Sequence, residues 1–204
     1  MSPEFAAAFD PVILEVLSLV ERARTGTAGR PVEEHARIRG VLDQGAALMP
    51  GTRSRDWELA SYALVALLDE LLIVDIPWKG QAWWENNALE VEIHRTRNRA
   101  TEFYSRAEEA VGLASRDALE VFIMAVVLGF RGIFRDQQPA LRQWLRTQEN
   151  MVRVGEARVP LPDTAAELSG APPLSGGVRL LWASLFALMV TAMVFVAAWR
   201  VVMR

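Results

Sequence analysis

LASYALVALLDE, residues 59–70, decides the fold. The ten residues 59–68 are apolar on every side of a helical wheel, which suits a helix sunk in the middle of a bundle. The helix is expected to start near Asp56 and to end at Pro77. Upstream, Asp10-Pro11 has the form of a helix start, a carboxylate cap with proline at the first helical position. Val12, Ile13, Val16, Leu17 and Val20 follow at helical spacing, and Gly26 and Gly29 close the segment. Phe5 and Phe9 carry the same stripe back toward Pro3, an alternative start. A second helix is expected over 32–49, stopped by Pro50-Gly51.

Downstream of Pro77 the pattern predicts helices over 81–94 and 101–111. A sixth is expected to be capped by Ser115, with Asp117 and Glu120 in its first turn, and to run to Leu128 or Phe130. A seventh covers 139–152. No strand alternation and no internal repeat is present. The expectation is an all-α bundle of about seven helices over 1–154, followed by a C-terminal transmembrane helix.

That last element rests on LLWASLFALMVTAMVFVAAW, residues 180–199, which carries no charge between Arg179 and Arg200. Twenty helical residues span roughly 30 Å, the thickness of a bilayer's hydrocarbon core. Trp182 and Trp199 lie near its ends, where amphipathic rings favour the headgroup zone. Residues 155–178 hold Pro160, Pro162, Pro172 and Pro173 with Gly155, Gly170, Gly176 and Gly177, the composition of a linker. The organisation expected is therefore a cytoplasmic domain at 1–154, a linker at 155–178, and an anchor with a short tail at 179–204.

Composition excludes several classes of function. The chain has no cysteine, so disulfides, thiolate nucleophiles and cysteine metal sites are absent together. Residues 1–178 carry 19 basic and 25 acidic side chains, a net charge of −6 with no basic run, which makes a poor nucleic-acid binder. The two histidines, His35 and His94, stand far apart, and neither has glutamate three residues before it, so neither a zincin helix nor a di-iron bundle is encoded. Glu90 and His94, four apart, read as a local pair on one helix face. No phosphate loop, nucleophile elbow or dinucleotide fingerprint occurs. The chain reads as non-catalytic, with no cofactor and no metal.

Two features stand out against that background. Asp69 and Glu70 interrupt a helix that is otherwise apolar all round; they either face a solvated turn or pair with arginine or cap a neighbouring helix. Trp78, Trp83 and Trp84 crowd one short window, as core packing or as anchors at a rim.

Taken in order, YALVALLDE at 62–70, Pro77-Trp78, Trp84, Leu89, His94, Phe103-Tyr104 and GFRGIFR at 129–135 resemble the DotU/TssL (IcmH-like) family of bacterial secretion-system proteins. Three departures are visible. Arg99, Ala100 and Thr101 replace a usual Gly-Gly-Glu, Arg131 replaces a common glutamate, and the stretch from Glu70 to Pro77 is one residue longer than usual. The resemblance implies a tail-anchored inner-membrane subunit of a type VI system, or of its type IVB counterpart. It implies a TssM/IcmF-like membrane partner, contact with a baseplate component, and homodimerisation. It also makes Asp69, Glu70, Pro77, Trp78, Trp84, His94, Gly129, Phe130, Gly132 and Arg135 candidate fold or docking positions. The rival readings are a generic tail-anchored adaptor and a membrane-bound helical enzyme or transporter accessory using Asp69 and Glu70.

Within the span, Ala183, Ala187 and Thr191 fall four apart on one face. In lipid, helices associate by close backbone approach through such small residues. In a membrane self-association assay of the isolated 180–199 helix, Ala187→Ile is expected to weaken pairing, and Leu188→Ile to leave it near the parent level. Equal association of both variants would remove this face as the contact.

Overall fold

The computed structural model describes residues 1–156; the uncharged run, the expected linker beyond Glu156, and Ala183, Ala187 and Thr191 lie outside the described residues. Helix α1 (Pro3–Thr25) starts at the earlier of the two expected positions. Ser2 is its cap, its Oγ accepting the Phe5 N–H at 3.4 Å. Pro11 thus lies inside the helix and leaves the Ala7 carbonyl without an intrahelical donor. Both residues are exposed, so water can serve that carbonyl, while the buried stripe Phe5, Phe9, Val12 and Val16 holds the turn in place. Helix α2 (Pro31–Ala47) has proline in its first turn.

Helix α3 (Ser54–Glu70) is the axis of the bundle. Every residue from Leu59 to Leu72 is buried, and α3 packs most extensively against α6, then α5, α2 and α1. It continues into a π-helical turn, Leu71–Asp75, in which the Ile76 N–H reaches back to the Leu71 carbonyl at 2.8 Å. Two further carbonyls at this end are capped by side chains: Trp78 Nε1–H donates to Leu72 O at 3.0 Å, and Gln81 Nε2–H to Ile73 O at 2.7 Å. Pro77, which ends the segment as expected, is exposed.

The helix expected over 81–94 is broken. Helix α4 (Gln81–Asn86) stops where Asn86 and Asn87 turn their amides onto the carbonyls of Ala82 and Trp83, each at 2.8 Å. A separate π turn, Glu90–His94, follows and ends at Arg95 in the left-handed conformation, φ 59°. Asparagine competes with the helix for its own backbone, and the N–H groups of the second piece are claimed by Asp69.

Helices α5 (Arg99–Val111), α6 (Asp117–Leu128) and α7 (Gln138–Glu156) complete the described chain, with short 3-10 turns at Gly51–Arg53 and Gly132–Phe134. Ser115 does not cap α6. Its hydroxyl donates to Asp56 instead, and Arg116 occupies the cap position. Asp117 is drawn the other way, accepting from Ser2 N–H at 2.7 Å and Ser2 O–H at 2.6 Å, which fastens the chain's start to α6. Phe103, Phe122 and Phe130 form the aromatic floor of the core, with ring centroids 4.8 and 3.9 Å from Phe103. Among the described residues the α-helices number seven, as expected, although the fourth is cut short, and there is no strand.

Two glycines make opposite forecasts. Gly132 has φ +50°, and an added Cβ would stand 2.6 Å from the Ala100 carbonyl oxygen. Gly40 lies inside α2 with nothing within 4 Å of that position. Gly132→Ala is expected to destabilise by more than the roughly 1–2 kcal/mol of left-handed strain. Gly40→Ala is expected to stabilise by about 0.5–1 kcal/mol. Urea unfolding of both variants beside the parent checks the pair.

Candidate functional site

Asp69 and Glu70 end the buried run of α3, and successive helical residues point about 100° apart. Each therefore meets a different chain reversal. Asp69 is fully buried. Its Oδ1 accepts Trp84 Nε1–H at 2.8 Å and Leu89 N–H at 3.2 Å, and its Oδ2 accepts Glu90 N–H at 2.8 Å. Three hydrogen bonds to a charged group, at about 1.5–3 kcal/mol each, offset part of the several kcal/mol that burying a carboxylate costs.

Glu70, 4% exposed, performs the same task for the segment after α6. It accepts from Arg131 N–H at 2.9 Å, from Gly132 N–H at 3.2 Å and from Arg135 at 2.8 Å. Arg135 also grips Asp75 at 2.7 Å and so ties the π turn to the same loop. Gly129 (φ 134°) and Gly132 bend that loop, and Phe130 between them is fully buried against Phe103. Both interior acids thus cap turns, Glu70 alone also pairs with an arginine, and neither faces a solvated turn.

The three tryptophans divide. Trp84 is fully buried; Trp78 and Trp83 are half-buried and meet it edge-on, at 5.9 and 6.3 Å between centroids. His35 from α2 packs its ring against Trp83 at 5.5 Å and Trp84 at 5.3 Å. His94 packs on Tyr62 at 5.0 Å. It makes no ion pair with Glu90, contrary to the expected local pair, because the π turn and the break at Asn87 replace regular helical spacing. Glu90 instead turns inward with no exposure. Its Oε1 accepts from Thr96 O–H at 2.7 Å and Asn98 N–H at 2.9 Å, while Oε2 lies 3.7 Å from Arg99.

Arg99 and Arg131, two of the residues singled out in the sequence, now have physical settings. Arg99 supplies the cation nearest to buried Glu90. The Arg131 side chain folds onto the carbonyls of Val126 and Phe130, at 2.7 and 2.9 Å, where the C-terminus of α6 favours positive charge.

A cleft of about 380 Å³ opens between α2, α3, α5 and the second π turn, lined by Trp57, Glu58, Ser61, His94 and Arg106 among others. Arg106 lies 4.0 Å above the Tyr62 ring and pairs with Glu102 at 2.7 Å. Among the described residues, no group of three histidine or carboxylate side chains is placed to hold a metal ion, and no helix is long and apolar enough to cross a membrane.

Sequence reasoning did not find the inward turn of Glu90, the Ser2–Asp117 clasp or the anchoring of Glu34, which is 2% exposed and bound by Arg22 at 2.6 Å and by Gly29 N–H at 2.8 Å. Ser2-Pro3 carried a readable signal, a capping serine before proline. Glu90 and Glu34 carried none, since a glutamate bound for the core has the same letter as one on the surface.

The arrangement defines a class: an all-helical domain whose interior polar groups are spent on holding chain reversals together. The chain belongs to the family described as type VI secretion system protein DotU, whose model matches residues 5–202. The fold is similar to that of the cytoplasmic domain of TssL from Acinetobacter baumannii, with a TM-score of 0.60 at 19% identity, over 71% of this chain and 96% of that one. No curated protein sequence matches the chain.

Two titrations of opposite sign follow from the site. Burial pushes the Asp69 carboxyl up to about 6, against the pull of its N–H donors. Folded Asp69 thus holds a proton that the unfolded chain has released, so its contribution to stability is complete below about pH 4 and is lost as pH rises through 6. Burial, helped by Arg106, pushes His94 down to about 4. Its contribution is complete above about pH 6.5 and is lost as pH falls toward 4. Between pH 7 and 4.5, His94→Gln is expected to gain stability relative to the parent, and Asp69→Asn to lose it, each by about 2 kcal/mol. Denaturant unfolding at several pH values reads both slopes.

Proposed function

We propose that this protein is a non-enzymatic scaffold subunit of a type VI secretion membrane complex, anchored in the bacterial inner membrane by 180–199 with its helical domain in the cytoplasm. The observation that carries this reading is the extent of the family match, which runs through the helical domain and on through the uncharged run. In this reading the domain meets a TssM/IcmF-like membrane protein and a baseplate component, and the chain forms a homodimer. The interior geometry supports a scaffold, because Asp69 and Glu70 spend their oxygens on fixed N–H donors and present no reactive group to a substrate. Asp69, Glu70, Trp84, Phe130 and Arg135 then serve the fold, whereas exposed Pro77 remains for docking.

The test is a tagged full-length chain drawn from its native membrane in mild detergent. A TssM/IcmF-like protein is expected to co-purify, and a chain lacking 180–199 is expected to move to the soluble fraction. Recovery alone, in several mild detergents, would remove the complex; a truncated chain still sedimenting with membranes would remove the anchor.

A further inference from the structure

Helix α7 carries Arg142, Arg146, Glu149 and Arg153 at positions i, i+4, i+7 and i+11, a spacing that gathers them within a narrow arc of one helix face. All four are exposed. The opposite flank holds the helix to the bundle: Leu141 is buried, and the Trp144 ring meets Tyr104 at 5.2 Å. Arg22, Arg37, Arg39, Arg53, Arg55 and Arg135 are each held in an ion pair, but among the described residues Arg142, Arg146 and Arg153 pair with no acid. Exposed Arg24, Arg95 and Arg97 also pair with no acid among those residues, but Arg24 stands at the end of α1 and the other two lie in the loop after the second π turn, so alignment along one helix face is what marks the α7 row. Three unneutralised cations thus stand in a row on an otherwise acidic domain. Of the seven helices, α7 is also the nearest in sequence to the uncharged run: only 157–179 separate them.

We infer that α7 rests its arginine row on the anionic phospholipid headgroups of the membrane that holds the chain, an inference that depends on the anchored reading above. Charge complementarity selects the occupant, because a bilayer with anionic lipid offers a continuous negative plane and the row is straight and exposed. Each arginine near such a surface shifts the docked population roughly fivefold. Glu149 lies within the row and opposes it.

The natural chain has no cysteine, so a single Gln143→Cys places a polarity-sensitive fluorophore beside the row without competing thiols. The full-length labelled chain is incorporated into nanodiscs of phosphatidylcholine alone or mixed with phosphatidylglycerol, each carrying a quencher at headgroup depth. Greater quenching is expected in the anionic discs and is expected to fade at high salt. Arg142→Gln and Arg146→Gln should each reduce the docked population roughly fivefold, and Glu149→Gln should raise it. The same probe at Glu85→Cys, on α4, serves as the reference. A chain that enters neither disc defeats the anchored reading and this inference with it. A chain that enters both and is quenched alike defeats this inference alone. A row shielded only in native membranes, with no response to lipid charge, is a protein contact and also overturns it.

Discussion

Two neighbouring carboxylates inside one helix set the terms for the rest of the domain. A buried acid must be met by donors, and the donors nearest to Asp69 and Glu70 are the N–H groups left open where other segments turn. Each acid therefore fixes a turn far away in sequence: Asp69 the one at Leu89 and Glu90, Glu70 the one at Arg131 and Gly132. Since the two side chains leave α3 in different directions, the axis of the bundle grips two sides at once. Apolar packing fills the space, but it is non-directional. The acids make the arrangement specific.

How much of this was legible in the sequence depended on the kind of information each element carries. The apolar wheel of α3, the stripe of α1, and the stops at Gly26, Pro50 and Pro77 are local signals, and the corresponding helices stand where those signals lie. The start of α1 was ambiguous because Asp10-Pro11 and Ser2-Pro3 have the same form; burial of Phe5 and Phe9 decides for the earlier one. The break after α4 was missed because Asn86 and Asn87 are tolerable in a helix taken alone. Only Asp69, a residue from another helix, makes stopping there favourable. Ser115 failed as a cap for the same reason, since Asp56 from α3 takes its hydroxyl. Local pattern locates helices, and tertiary partners decide where they end.

The candidate site was legible in part. Asp69 and Glu70 were conspicuous as charges in an apolar run, and two outcomes were open until their partners were known. Glu90 was an unremarkable acid on an amphipathic segment, yet it is as deeply buried as Asp69. Arg131 and Arg99 sit on features that a helix end and a nearby acid already provide.

The π turn after α3 has a consequence for how such a chain changes length over evolutionary time. A regular helix that gains one residue rotates everything beyond it by about 100° and so misdirects every later side chain. Between Leu71 and Asp75 the hydrogen bonding widens by one residue, with Ile76 reaching back five positions. A turn of this kind holds one residue more than a regular helical turn in a local loosening of the coil. Asp69 and Glu70 keep their aim on one side, and Pro77 and Trp78 keep their register on the other. The widened turn is a slot in which one residue more need not turn the helix before it, placed just past the two residues whose direction matters most.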